Sequence, residues 1–185
     1  MADRNDEAVL ECGDAVRLRP AREADARSIA EHANNRKVWI NLRDGLPHPY
    51  TIDDARAWIQ SQAWQNPRVS FAIDVEGQAI GGIGLVLGTD IERRSAEVGY
   101  WLGEAFWNRG IATVALARLC RYAFEELGLL RVFATPIVWN PASCRVLEKA
   151  GFQREGIMRN ACIKDGKVAD MALYARVRSD DADRS

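Results

Sequence analysis

The apolar positions of this chain change period several times, and each change marks an element. Val16 and Leu18 alternate with polar neighbours over residues 15–19, which predicts a short strand ended by Pro20. Ala26, Ile29, Ala30 and Ala33 then share one face of a helix over residues 23–33. Residues 34–50, with Gly45, Pro47 and Pro49, lose all periodicity, and loops of that length are uncommon unless they carry function. Thr51 reads as an N-cap, with Asp54 in the capping-box position, opening a helix that carries Ala55, Trp58, Ile59 and Gln62. Period two follows: Phe71, Ile73 and Val75 alternate, Gly77 turns the chain, and residues 79–87 and 95–102 read as two further strands. Residues 111–127 place Ala112, Ala115, Leu116, Leu119, Cys120, Ala123 and Leu127 on one helical face, with Gly128 as the stop. The apolar run 130–138 reads as a central strand. Asn140-Pro141 opens a short helix that Gly151 closes, and Asp165-Gly166 forms the two-residue turn of a last hairpin. The order β, α, α, three strands, α, β, α, hairpin implies a mixed α/β (α+β) sheet with helices on both faces.

Composition narrows the function. The 185 residues, 48% hydrophobic and 28% charged, suit one domain over 15–178, with polar tails at 1–14 and 179–185 expected to be loose. A net charge of -1 argues against electrostatic nucleic-acid binding. No apolar run approaches the roughly 20 residues of a membrane span, and the first residues lack a signal-peptide core, so a cytoplasmic protein with no membrane partner is expected. Cys12, Cys120, Cys144 and Cys162 form no C-x-x-C pair and read as reduced, structural thiols. With only His32 and His48, a histidine-rich metal site is excluded and no metal is expected.

The informative stretch runs from Glu97 to Thr113. A strand feeds a short loop that opens directly into a helix, so loop amides and first-turn donors converge where a phosphate would be held. Gly110 allows close approach, Ala112 keeps the first turn slim, and Arg109 adds a charge; read alone, Gly110 could equally be a plain helix-entry glycine. There is no G-x-x-x-x-G-K-[ST], and Gly82-Ile83-Gly84 has no helix after it, which rules against a dinucleotide fingerprint.

Trp107-Asn108-Arg109-Gly110-Ile111-Ala112 resembles the pyrophosphate loop Q/R-x-x-G-x-G/A of the GNAT superfamily of acetyl-CoA-dependent N-acetyltransferases, with Trp in the first place. Asn140-x-x-Ser143, followed by Glu148-Lys149-Ala150-Gly151-Phe152, is similar to the family's second signature. The resemblance covers about Val16 to Val177 and lies nearest the RimJ/RimL branch of protein N-terminal acetyltransferases. It implies a mostly antiparallel sheet of about six to seven strands, splayed in the middle. Acetyl-CoA would be the cosubstrate, its pantetheine arm pairing with backbone around Trp101, Leu102 and Gly103. Its pyrophosphate would sit on Trp107, Asn108, Arg109, Gly110, Ile111, Ala112 and Thr113, with Asn140, Ser143 and Lys149 flanking the arm or phosphates.

The chemistry sets the remaining expectations. An amine must be neutral to attack, which disfavours an α-amine about tenfold at pH 7 and a lysine roughly a thousandfold. Glu97 is the candidate base, through water, with Glu104 as fallback; otherwise Glu97 is an ordinary strand carboxylate. A backbone N–H near Trp101 or Leu102 would hold the oxyanion. Leu147 stands where many family members carry a tyrosine acid, and Ser143 is the substitute expected. An acetyl-Cys144 intermediate is disfavoured because no histidine is at hand. The acceptor site is expected on the early loop, from Trp39, Asn41, Arg43, Asp44 and Tyr50, near Trp64, with Asp44 as an acidic clamp; the loop could also be a packed edge. The acceptor is either a protein N-terminal amine or a small-molecule amine (amino acid, polyamine or antibiotic). A non-catalytic acyl-CoA-binding module is the other class, and an exposed sheet edge allows either monomer or homodimer.

Overall fold

The computed structural model describes residues 8–13 and 15–178. In chain order the strands are β1 (Leu10–Glu11), β2 (Val16–Arg19), β3 (Ser70–Val75), β4 (Gln78–Leu87), β5 (Ser95–Leu102), β6 (Arg131–Ala134), β7 (Gln153–Lys164) and β8 (Lys167–Val177). The helices are α1 (Ala26–Ala33), α2 (Arg36–Trp39), α3 (Ile52–Gln62), α4 (Ile111–Glu125) and α5 (Pro141–Lys149). The strands form one open sheet in the order β1-β2-β3-β4-β5-β6-β8-β7. Every pair is antiparallel except β5–β6.

The middle of the sheet is buried on both faces, whereas β7 at its edge is largely exposed. On one side Leu18, Phe71, Ile73, Ile80 and Ile83 pack with Leu116 and Leu119 of α4 and Leu147 of α5. On the other, Ala72 and Ala79 meet Ile29 and Ala30 of α1 and Ala55 and Ile59 of α3. The alternation of β3 therefore serves two cores at once, which is why its residues between Phe71 and Asp74 are all buried. Beneath α1, Arg19 of β2 bonds Asp74 of β3 at 2.7 Å and Asp25 at 2.7 and 2.8 Å, a largely buried charge network.

The parallel pair positions the site. β5 and β6 are in register only at Ser95–Arg131, Ala96–Val132 and Glu97–Phe133. Beyond Glu97, β5 keeps β4 as far as Leu102, whereas β6 ends at Ala134. Pro136 has no N–H for a ladder, and the chain turns its bonds toward β8 instead (Ala172 N–H to Pro136 O, 2.9 Å). The sheet opens as a V at this point.

Four expectations change. The strand expected over 130–138 is only Arg131–Ala134 for the reason just given, with Ile137 making a lone bridge to Met171. The sheet has eight strands rather than six to seven. The difference includes β1, which falls in the segment expected to be a tail: Leu10 pairs with Leu18 and is buried in the α4-side core. Part of the early irregular segment is helical, as α2. Of the expected tails, residues 1–7, 14 and 179–185 lie outside the described residues.

Candidate active site

Two cavities meet in the V. The first, of about 500 Å³, is bounded by the end of β5, the loop into α4 and one side of α5 from Ala142 to Lys149. The loop is shaped by Asn108 at φ +60° and Gly110 at φ +78°, the latter being the N-cap of α4. A cap without a side chain leaves the first-turn donors open. Thr113 and Val114 N–H both bond Gly110 O at 3.1 Å, while the Ile111 and Ala112 amides have no partner among the described residues. A Cβ built on Gly110 would meet nothing within 4 Å, so that side of the glycine is open. Lys37, Arg109, Arg145 and Lys149 line this cavity, and no carboxylate does. Bare helix-start amides and a cationic lining fit a polyanion such as the diphosphate of CoA.

Most of the expected donor-site residues are on this wall: Trp101, Leu102, Trp107, Asn108, Arg109, Gly110, Ile111, Ala112, Thr113, Asn140, Ser143 and Lys149. Gly103 is not. Its N–H bonds Ile80 O at 2.8 Å, and a Cβ there would strike the His32 ring at 2.9 Å, so packing demands this glycine. The Trp107 indole donates to Leu102 O at 2.8 Å and closes the loop on itself. Asn140 caps α5, Oδ1 accepting from Ser143 N–H at 3.2 Å, and still faces the cavity.

The second cavity, of about 910 Å³, lies between the early loop, α3, β4, β5 and the β7–β8 tip. Glu97 is on its wall, accepting from Arg43 at 2.6 and 2.7 Å and from the Thr135 hydroxyl at 2.8 Å. Asn41, Arg43, Asp44 and Tyr50 line it as expected. Tyr50 is buried, and burial pushes its phenol up to about 12. Asp44 is not a free clamp for an ammonium: it accepts from Lys164 Nζ at 2.7 Å, and that lysine is itself buried. Trp39 lies off the wall. Its ring stacks on His48 at 5.5 Å and carries Lys164 Nζ 3.8 Å from its centroid, so it supports the roof rather than the ligand space. Trp64 is 92% exposed and outside the cavity.

The fallback base Glu104 lines neither cavity; Lys37 and Asn35 hold it, and their hydrogen bonds keep its carboxyl below the usual range. Cys144 also lines neither cavity. Leu147 is wholly buried in the core. Both cavities share Asn41, Leu42, Tyr100, Trp101, Pro136 and Ser143, so they adjoin along this wall. Among the lining residues not foreseen are Tyr100, Thr135 and Lys164. Tyr100 had a signal in the sequence, because period two puts it on the α5 side of β5, opposite Glu97, where Ser143 must also lie.

A cleft with a cationic cavity on one side and a carboxylate in the adjoining one suits transfer from a polyanionic carrier to an amine. The family that matches, over residues 15–153, is described as the acetyltransferase (GNAT) domain. The chain belongs to this family and is an acetyl-CoA-dependent N-acetyltransferase of its RimJ/RimL-like branch. It is 32% identical to the uncharacterized N-acetyltransferase YoaA of Bacillus subtilis over 170 residues, 89% of this chain and 94% of that one. It is 28% identical to the ribosomal-protein-serine acetyltransferase of Escherichia coli over 177 residues, 91% and 96% of the two chains. Among solved structures it resembles Mycobacterium smegmatis RimJ in complex with CoA-disulfide, with TM-score 0.79 and 27% identity over 92% of this chain and 86% of that one.

Proposed function

We propose that the chain transfers the acetyl group by direct attack of a primary amine on the thioester, both substrates being bound at once, and that the amine is the α-amine of a protein N-terminus. The observation that carries this is that the cationic cavity and the Glu97 cavity adjoin along six shared residues, so that a thioester held in one lies beside an amine held in the other. Cys144 stands off both walls, which disfavours an acetyl-cysteine relay. The ribosomal-protein-serine acetyltransferase among the relatives supports a protein acceptor.

In this reading the α4 N-terminus, Arg109 and Lys149 hold the diphosphate, and the open edge of β5 aligns the arm with backbone bonds. Asn140 fixes the arm from the other wall. Glu97 takes the amine's proton through water, and Arg43 and Thr135 keep its carboxylate turned into the cavity. Backbone N–H groups near Trp101 and Leu102 stabilise the oxyanion.

Thiol release from acetyl-CoA tests this against a panel of N-terminal peptides, amino acids and polyamines. Release with peptides that stops when their α-amines are formylated is expected. Release with small amines alone overturns the acceptor assignment. CoA binding without release for any amine overturns catalysis in favour of an acyl-CoA-binding module.

A further inference from the structure

The glycines of the two strands that floor the larger cavity are not alike. On β4, a Cβ at Gly81 would strike Trp101 O at 2.4 Å, one at Gly82 the Trp101 indole nitrogen at 2.7 Å, and one at Gly84 the Ser70 hydroxyl at 3.0 Å. Packing accounts for all three. Gly99 stands on β5 opposite Gly84, and a Cβ there would meet nothing within 4 Å. Nor is its backbone left-handed. Glycine inside a strand weakens it, and it often marks where a ligand comes close. Neither packing nor backbone shape supplies a reason for the missing side chain of Gly99.

Alternation sets Gly99 between Glu97 and Trp101 on one face of β5, about 7 Å from each along the strand. Its cross-strand partner Gly84 has no side chain either, so the cavity floor is bare backbone beside Glu97. Gly99 lines the larger cavity and not the cationic one, so the space above it belongs to the acceptor rather than to CoA. A second feature of this cavity asks for a ligand. Tyr50 in its wall is only 7% exposed, yet its hydroxyl has no hydrogen-bond partner among the described residues; Asn34 takes its backbone N–H instead, at 3.0 Å. Buried hydroxyls are normally bonded, so this one is left for a polar atom of whatever fills the cavity.

Two groups branch from the carbon beside a terminal α-amine, the side chain and the running main chain. The floor is the sheet itself, with the core of α4 behind it, so a chain has no way onward through it. Only a group that ends can point there. We propose that Gly99 is a specificity-determining residue: the bare floor it leaves between Glu97 and Trp101 receives the side chain of the acceptor's first residue. The inference rests on the reading of a protein N-terminus as acceptor.

The test uses acetyl-CoA and peptides that differ only in their first residue, Gly, Ala, Ser, Val or Leu, with thiol release by the wild-type chain, Gly99→Ala and Gly99→Val. The ratio of kcat/KM for the Ser peptide to that for the Gly peptide should fall about tenfold or more in Gly99→Val, further for the Val and Leu peptides, and less in Gly99→Ala. The thermal shift given by CoA should persist in both variants, and neither should melt below the wild type. An equal loss across the panel, unchanged ratios, or a wild type that uses only the Gly peptide overturns the inference. Gly99→Ala, the smaller change, decides the matter if Gly99→Val folds poorly. A wild-type chain that acetylates small amines and no peptide overturns the acceptor reading, and this inference with it.

Discussion

At Glu97 a carboxylate is held by an exposed arginine and a threonine hydroxyl while facing the larger cavity. In the proposed reading Arg43 keeps the carboxylate turned toward the cavity, where water would relay the amine's proton to it. Glu97→Gln should lower kcat about a hundredfold near neutral pH while leaving stabilisation by CoA intact, as thermal shift and thiol release would show. Gly110 poses a sharper test, because its φ of +78° and its open surroundings separate two effects. Asn tolerates the left-handed region, so Gly110→Asn should bind CoA more weakly by little, whereas Gly110→Asp sets a negative charge before the diphosphate and should lose most of the thermal shift. Equal losses in both variants would mean that backbone shape, not charge, governs the loop.

At the scale of elements, local signals succeeded where the chemistry is local. Thr51 and Asp54 make the expected reciprocal cap on α3, the Thr51 N–H donating to Asp54 at 2.8 Å. Thr51→Ala should therefore cost about 1 kcal/mol in denaturant unfolding. Asp165 and Gly166 both take positive φ in the hairpin turn, and Asn140 caps α5, each as its residue type dictates. The shape of the loop into α4 was legible for the same reason: its glycine, its helix start and its strand are contiguous. What escaped was set by distant partners. β1 exists because Leu10 finds Leu18 and a core behind it. The roof of the larger cavity exists because Lys164 meets Asp44, and Arg36 meets Asp165 at 2.6 Å, across more than a hundred residues of chain. No period or cap announces such pairings, so Asp44 read as a free clamp and Trp39 as a ligand wall.

For the molecule as a whole, the sheet holds two cores together, and the charge network of Arg19, Asp25 and Asp74 ties them near the start of α1. Burial alone pushes the Asp25 carboxyl up, but the Arg19 guanidinium and the Arg22 amide outweigh it and hold the group below its ordinary value. A carboxyl lowered in the folded state contributes stability that is complete above its unfolded pKa of about 4 and is lost as the pH falls through the folded value. Melting temperature should thus lose its Asp25 share only in acid, and Asp25→Asn should flatten that part of the decline while lowering stability at pH 7.

The short register of β5 with β6 has a consequence for solvent exchange. Past Glu97, every second amide of β5 up to Leu102 points into the V with no strand opposite it. Those hydrogens should trade with deuterated water far faster than their neighbours bonded to β4, and slow markedly once the thioester's arm lies alongside. The strand would then report, residue by residue, how far along the gap the arm extends.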